Sequence, residues 1–170
     1  YEFIEDMIAT AREAFSSKHL NIGMDEAYNL GRGNFLRKNG YEDQTSIMIR
    51  HLDKVSKIAE KYGFSCHMWG DMFVRMVNDG HYLDKKPDVA KLKSQNVQLP
   101  KNVEPAYWDY CVREQENCEF FLDYFKNFNR DVWFVGGACC WKGYTPTNLK
   151  SLESTETSFK AMKKSPVSNY

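Results

Sequence analysis

Hydrophobic positions along the chain follow two patterns, which predict helices and strands in alternation. Apolar residues spaced at about 3.6 positions predict four helices, and short apolar runs between them are typical of buried strands. The predicted helices cover 2–17, 45–62, about 112–128 and, less regularly, about 149–164. The predicted strands cover 19–24, 64–71, 104–110 and 131–137, with a short helix over 72–78 and a polar loop over 85–101.

Strands that alternate with helices predict an α/β fold in which crossover helices join parallel strands. No strand is followed by a GxGxxG motif, so a dinucleotide-binding sheet is not favoured. Polar and aromatic residues gather instead at the strand ends, which is typical of a (β/α)8 TIM barrel. Such a barrel takes about 250 residues, whereas this chain of 170 residues has four predicted strands. We therefore expect residues 1–170 to be a fragment of a single (β/α)8 catalytic domain, its second half without the closing strand.

The composition limits the kinds of partner and the cellular location that are expected for the chain. Its net charge is zero and it has no basic run, so no electrostatic signal for nucleic acid is present. No apolar run approaches the roughly 20 residues that span a bilayer, so no membrane segment is expected. The five cysteines are irregularly spaced and do not suggest a disulfide framework, which favours reduced thiols and a cytoplasmic location.

Two adjacent carboxylates stand at the end of the first predicted strand. Asp25 and Glu26 follow the apolar run 19–24, and a glycine-punctuated loop, Gly31 to Gly33, comes shortly after them. Adjacent residues on a strand point to opposite faces. Asp25 can then point into the mouth of a barrel. Glu26, at the end of the strand, can be placed above the same mouth, over a bond of a molecule that is held there. The alternative is a solvated acid pair at a turn, since charged residues are mostly exposed.

Four motifs, taken in order, carry a resemblance to a known family. NIGMDEAYNLGRG, HMWGDMF, YWDYC and GGACCW together resemble the catalytic domain of family-20 glycoside hydrolases, the exo-acting β-N-acetylhexosaminidases. The branch that includes hexosaminidase D is the most similar. The resemblance covers nearly the whole chain, and its GxDE segment followed by LGxG is the most specific part.

The resemblance implies roles for both acids. Glu26 would be the general acid/base, and Asp25 would orient the 2-acetamido group of the substrate, whose carbonyl oxygen is the nucleophile. This substrate-assisted mechanism is an exception to the scheme with two separated carboxylates. The chain departs from the family at Asn21, where many members have a histidine. His19, two residues earlier on the same strand face, is expected either to substitute for it or, as the favoured interpretation, to be a buried structural histidine. The chain also has no counterpart of the family's early-strand arginine or its last-strand acid and tryptophan.

Aromatic residues at the later strand ends are candidates for the walls of a sugar pocket. Trp69 and Asp71 share one strand face and would contact the sugar ring and a hydroxyl, unless they are a core tryptophan and a helix-capping aspartate. Trp108 and Trp141 are further candidates, although Trp141 is equally expected to be a loop aromatic that covers the core.

A tyrosine is also expected to donate a hydrogen bond to the acetamide oxygen. Tyr107 and Tyr110 both fit this role, and their spacing does not choose between them. Trp133, inside the fourth predicted strand, is expected to belong to the core.

The sequence thus predicts hydrolysis of terminal β-linked N-acetylhexosamines from a glycan or glycoconjugate, with no cofactor and no metal. Two alternatives stay open: a non-catalytic sugar-binding relative, and a metal-dependent barrel enzyme. The second would use oxygen and nitrogen ligands from Asp25, Glu26, His67 and Asp71. The fragment by itself is expected to be inactive or nearly so, and to be either a dimer or a monomer that tends to associate.

Overall fold

The computed structural model describes residues 1–111, 113–141, 143–167 and 169. It is an α/β structure in which four parallel strands, in the order β1-β2-β3-β4, form a curled half-barrel with helices between them. The strands are β1 (His19–Asn21), β2 (Ser65–Trp69), β3 (Val103–Trp108) and β4 (Trp133–Val135). The helices are α1 (Glu2–Ala14), α2 (Asn34–Asn39), α3 (Gln44–Lys61), α4 (Asp71–Arg75), α5 (Val89–Ser94), α6 (Gln115–Lys126) and α7 (Asn148–Lys164). The predicted fold class, a partial TIM barrel, is confirmed.

The predicted elements occur in the predicted order, with different bounds. Each strand is shorter than its apolar run, and β1 ends at Asn21 rather than at residue 24. Helix α6 begins at Gln115, and Val112, where the pattern placed its start, lies outside the described residues. The short helices α2 and α5 were not predicted. Helix α5 forms inside the polar loop because the Asp88 side chain caps it by accepting a hydrogen bond from the Ala90 N–H at 2.8 Å.

One face of the sheet packs against the helices and forms the core. Cys66 and Met68 of β2 are buried on this side. On β3, the Tyr107 ring is stacked 5.8 Å from Phe121 and 5.7 Å from Phe125 of α6, measured between ring centroids. Because side chains alternate along a strand, the intervening residues must point to the opposite, concave face.

The concave face carries a layer of polar and aromatic residues. The Trp133 ring lies 4.9 Å from the His67 ring in a stacked arrangement, and its indole N–H donates to Glu104. The Trp133 ring also meets the His19 ring edge-on, with 5.8 Å between the ring centroids. Trp133 was predicted to belong to the core, but it is only half-buried and lies on the concave face, because Phe134, the next residue along β4, takes the side that packs against the helices.

The two edges of the sheet differ. At the β4 edge the chain comes back to pair in parallel, since the Phe134 N–H donates to the Asn169 carbonyl at 3.0 Å. At the β1 edge no further strand is paired within the described ranges.

Two expectations from composition bear on the structure. Cys66, Cys118, Cys139 and Cys140 are free thiols, of which Cys140 is exposed and the other three are buried. Among the described helices, none has the length and apolar character needed to cross a membrane.

Candidate active site

The carboxyl ends of the parallel strands bring their following segments to one edge of the half-barrel. Asp25 and Glu26 follow β1, Asp71 follows β2, and Tyr110 follows β3. Both acids are exposed. A barrel edge of this kind is where (β/α)8 enzymes carry their reacting groups.

The segment that carries the two acids departs from strand geometry and is fastened to β2. The Asn21 side chain accepts a hydrogen bond from the Gly23 N–H at 2.8 Å, and the Gly23 carbonyl accepts one from the Trp69 N–H at 2.9 Å. Met24 and Glu26 have positive φ angles of 80° and 50°. Non-glycine residues seldom adopt this left-handed backbone, and it is held only where the surroundings enforce it. Asn21 thus has a structural task at this bend.

Asp71 is the buried support of this segment. Its carboxylate Oδ2 accepts hydrogen bonds from the Glu26 N–H at 3.2 Å and from Arg75 Nε at 3.0 Å, and its side chain is fully buried. Burial raises the pKa of Asp71, while the hydrogen bonds from Arg75 and Glu26 oppose that rise, and the nearby charge of Asp25 adds to it. The sequence predicted Asp71 at this site as a partner of a sugar hydroxyl; the structure places its Oδ2 on the backbone that bears Glu26.

Two residues that the sequence pattern did not single out complete this corner. The Arg75 guanidinium lies 5.0 Å from the centre of the Tyr28 ring. Burial and a hydrogen-bond interaction with the Glu26 carboxylate raise the pKa of the Tyr28 hydroxyl, so it stays protonated at neutral pH and can donate. A sequence signal existed for Arg75, since it follows Asp71 by four positions, one helical turn, on the same face of α4.

The same aspartate–arginine spacing recurs at the end of β3. The buried Asp109 carboxylate accepts from Arg113 Nε at 2.9 Å and from the Tyr107 hydroxyl at 3.0 Å. Burial raises the pKa of Asp109, with the Cys111 N–H and Arg113 acting against it. This pair is tied to the chain that follows β3 and not to the acid-bearing segment.

The structure separates the two tyrosine candidates. Tyr107 is fully buried against α6, with its hydroxyl bonded to Asp109. Tyr110 is partly exposed at the mouth, where burial first, and then the nearby negative charge of Asp25, raise its pKa. These surroundings favour Tyr110 over Tyr107 as a residue that can reach a ligand beside Asp25.

Three rings make a continuous aromatic surface next to the acids. The Tyr110 ring stacks on Trp108 at 5.2 Å and meets Trp141 edge-on at 5.2 Å. Trp141 is 56% exposed. Gly137 allows this arrangement, because a Cβ there would lie 2.7 Å from a carbon of the Tyr110 ring. The fourth predicted ring, Trp69, lies half-buried on the concave face beside Ala106.

The residues of the metal alternative do not gather into one site. His67 lies in the layer below, stacked on Trp133, while Asp71 is directed to the Glu26 backbone and Arg75. Within the part of the chain that the structure describes, no group of three or more histidine, cysteine, aspartate or glutamate side chains is placed to hold a metal ion.

The chain is similar to proteins of known structure. No protein-family model matches it, and no curated protein sequence matches it. Among solved structures, it is similar to a β-N-acetylhexosaminidase from Bacteroides fragilis, at 15% identity and a TM-score of 0.48, over 87% of this chain and 27% of that one. It is also similar to the N-acetyl-β-hexosaminidase of Streptomyces plicatus in complex with Thio-NAglucal, at 14% identity and a TM-score of 0.44, over 89% of this chain and 26% of that one. The chain spans about a quarter of the length of these two proteins.

Proposed function

We propose that this chain is part of a β-N-acetylhexosaminidase that removes terminal β-linked N-acetylhexosamine by a substrate-assisted, retaining mechanism. The observation that carries the proposal is the exposed pair Asp25 and Glu26, fastened to the end of β2 beside the aromatic surface of Trp108, Tyr110 and Trp141. The sequence motifs around these residues resemble family-20 glycoside hydrolases. The whole domain, of which residues 1–170 are the proposed fragment, would carry the activity.

In this mechanism the two acids have separate roles. Glu26 protonates the glycosidic oxygen as the leaving group departs and then deprotonates the incoming water. Asp25 orients the 2-acetamido group, so that its carbonyl oxygen attacks the anomeric carbon and forms a cyclic intermediate. It also stabilises the positive charge that develops on that group. No second, separated carboxylate is then needed, in contrast to ordinary retaining glycosidases, whose two carboxyl groups lie about 5 Å apart.

The aromatic surface has the chemistry to bind the sugar. One face of a pyranose ring carries C–H groups that pack on an aromatic ring, and pockets for small ligands combine such apolar walls with a few polar groups. Tyr110 lies between Trp108 and Trp141 and faces the charge of Asp25. We assign its hydroxyl as the donor to the acetamide oxygen.

The test is a comparison of substrates with the full-length protein. Aryl N-acetyl-β-glucosaminide and N-acetyl-β-galactosaminide should be hydrolysed, and the matching β-glucoside, which lacks the acetamido group, should not. Comparable hydrolysis of the glucoside would show that the protein supplies its own nucleophile and would overturn the mechanism. Binding of the sugar without turnover would favour a non-catalytic sugar-binding relative, and loss of activity with chelator would favour a metal-dependent enzyme.

A second test concerns Glu26. In Glu26→Gln, turnover of substrates with poor leaving groups should fall by about 10² to 10⁴, the usual contribution of general acid catalysis. Activated aryl glycosides should lose less, since their leaving groups need little protonation. Glu60→Gln, at an exposed position on α3, is the matched control. Equal and small losses on both kinds of substrate would contradict the assignment of Glu26.

A further inference from the structure

We infer that Asp71, Arg75 and Tyr28 form a positioning unit that holds Glu26 in the orientation needed for proton transfer. The inference rests on the proposed function and names three positioning residues for it. None of them needs to touch the substrate. They act by fixing the backbone and the carboxyl group of Glu26.

The first part of the argument is the backbone of Glu26. Its φ of 50° is unfavourable for a residue with a Cβ. An isolated chain would relax from this conformation. The Asp71 carboxylate opposes relaxation, because its Oδ2 accepts the Glu26 N–H at 3.2 Å from a side chain that is itself fully buried. The Tyr28 N–H donates to the Glu26 carbonyl at 2.8 Å and closes a tight turn on the other side of the residue.

The second part is the carboxyl group of Glu26. The Tyr28 side chain lies close enough to it for Glu26, after burial, to raise the pKa of the Tyr28 hydroxyl, and the Tyr28 ring lies 5.0 Å from the Arg75 guanidinium. Arg75 is fixed in place by Asp71, whose Oδ2 accepts from its Nε at 3.0 Å, and by the Gly80 carbonyl, which accepts from Nη1 at 3.0 Å. One buried carboxylate therefore holds the main chain of Glu26 directly, and its side chain through Arg75 and Tyr28.

The neighbouring strand end provides an internal comparison. Asp109 and Arg113 form the same buried pair with the same spacing, at 2.9 Å, and Arg113 also donates to a backbone carbonyl, that of Leu83, at 3.1 Å. This pair is bonded to Tyr107 and the Cys111 N–H rather than to the acid-bearing segment. A substitution at Arg113 thus disturbs an equivalent buried ion pair and leaves the support of Glu26 in place.

The experiment uses the full-length protein and two partners of Asp71, since removal of a fully buried carboxylate would test folding more than positioning. Tyr28→Phe keeps the ring over Arg75 and removes the hydroxyl. Arg75→Lys keeps the charge beside Asp71 and removes the planar face under Tyr28. Tyr41→Phe, at an 86% exposed position, and Arg113→Lys are the matched controls. Rates are measured on an activated aryl N-acetylglucosaminide and on an alkyl one, with thermal melts alongside.

Both test variants should lower kcat on the alkyl substrate by about 10-fold, because a misdirected acid forfeits part of its advantage. Their kcat on the activated substrate should stay within about two-fold, and KM should not change. Arg113→Lys should lower the melting temperature as much as Arg75→Lys does. It should change kcat on the alkyl and on the activated substrate by the same factor. A purely structural role would lower both rates together.

Different results would contradict the two proposals. Suppose that the wild type is active and that Glu26→Gln loses more rate on the alkyl substrate than on the activated one. If Tyr28→Phe and Arg75→Lys then behave like their controls, the positioning unit is wrong and the proposed function stands. If wild type hydrolyses no N-acetylhexosaminide, or Glu26→Gln fails to separate the substrates, the proposed function itself is overturned.

Discussion

Trp69 and Trp108 follow the same pattern in the sequence but have different surroundings in the structure. Trp69 lies half-buried on the concave face, across from the small side chain of Ala106. Trp108 is packed between two rings, Tyr82 at 4.8 Å and Tyr110 at 5.2 Å, and its indole nitrogen is buried without a hydrogen-bond partner among the described residues. A ring enclosed on both sides contributes more to folding than one with an open face.

We therefore predict that Trp69→Ala and Trp108→Ala in the full-length protein have different consequences. Trp69→Ala should weaken the binding of an N-acetylglucosamine-derived thiazoline more than it weakens folding. Trp108→Ala should weaken the binding of the thiazoline and also lower the free energy of unfolding, by about 3 kcal/mol, as other large-to-small changes at packed aromatic sites do. Calorimetric titration and thermal melts measure the two effects. Unchanged affinity in Trp69→Ala would remove this ring from the proposed pocket.

His67 gives the concave face a dependence on pH. Burial and the neighbouring His19 lower the pKa of His67 below its usual 6.5, and Glu104 partly opposes this shift. The folded chain therefore binds fewer protons at His67 than the unfolded chain does. Its contribution to stability is complete above about pH 6.5 and is lost as the pH falls through the lowered folded-state pKa.

The corresponding prediction is that urea denaturation gives a lower free energy of unfolding at about pH 5 than at about pH 7.5. The burial of His51, which also lowers its pKa, acts in the same direction. In His67→Asn, the difference in the free energy of unfolding between about pH 5 and about pH 7.5 should become smaller. The part of the difference that His51 contributes should remain. A difference that is unchanged in His67→Asn would contradict the role assigned to this ring.

At the scale of elements, the turn from β2 into α4 depends on one glycine. Gly70 donates its N–H to the Ala106 carbonyl at 3.0 Å, which keeps the end of β2 against β3. A Cβ at this position would lie 2.2 Å from a carbon of the Phe125 ring in α6. The strand end that carries Asp71 can approach α6 this closely because residue 70 has no side chain.

We predict that Gly70→Ala destabilises the protein by about 1–3 kcal/mol, the usual cost of overpacking a core. Gly136→Ala is the matched control, because its Cβ would lie 3.4 Å from the Phe134 ring, an ordinary contact, and should change stability by less than about 0.5 kcal/mol. Chemical denaturation of both variants measures the difference. Equal effects would show that Phe125 moves aside without cost.

For the whole molecule, the open β1 edge adjoins an apolar surface on α1. A cavity of about 340 Å³ lies between α1 and β1, and Ile4, Met7, Leu20 and Ile22 contribute to its lining. Met7 and Phe3 are 57% and 74% exposed on the same helix. Unpaired strand edges and contiguous apolar patches of this kind promote association.

We predict that the 170-residue chain by itself associates through this surface with a second copy and shows no measurable turnover of an aryl N-acetylglucosaminide. If the proposed function and the fragment interpretation hold, the isolated chain lacks sugar contacts that the rest of the barrel would supply. The double variant Phe3→Glu, Met7→Glu should shift the chain toward monomer in sedimentation velocity, whereas Tyr41→Glu, at an exposed position away from α1, should not. Robust turnover by a clean monomer would overturn the fragment interpretation.

Local patterns in the sequence were sufficient for the order of the four strands and the long helices, and for the fold class. The 3.6-residue periodicity of the helices and the short apolar runs of the strands mark which residues become buried, and their alternation predicts the class and the parallel arrangement. They also bring Asp25 and Glu26 to the end of β1, since the apolar run stops there. Gly63, which directly follows the C-cap of α3, has a positive φ of 74°, the left-handed conformation that favours glycine at helix ends.

Contacts between residues distant in sequence decided the rest. Nothing local distinguishes Tyr107 from Tyr110; one is buried because α6 packs over it, and the other stays at the mouth. Asp71 reaches the Glu26 N–H across 45 positions, and Arg75 supports Tyr28 across 47. The sequence by itself therefore determined which chemical groups meet at the strand ends. Only the tertiary structure decided which of them face a ligand and which hold the others in place, because that depends on packing between elements.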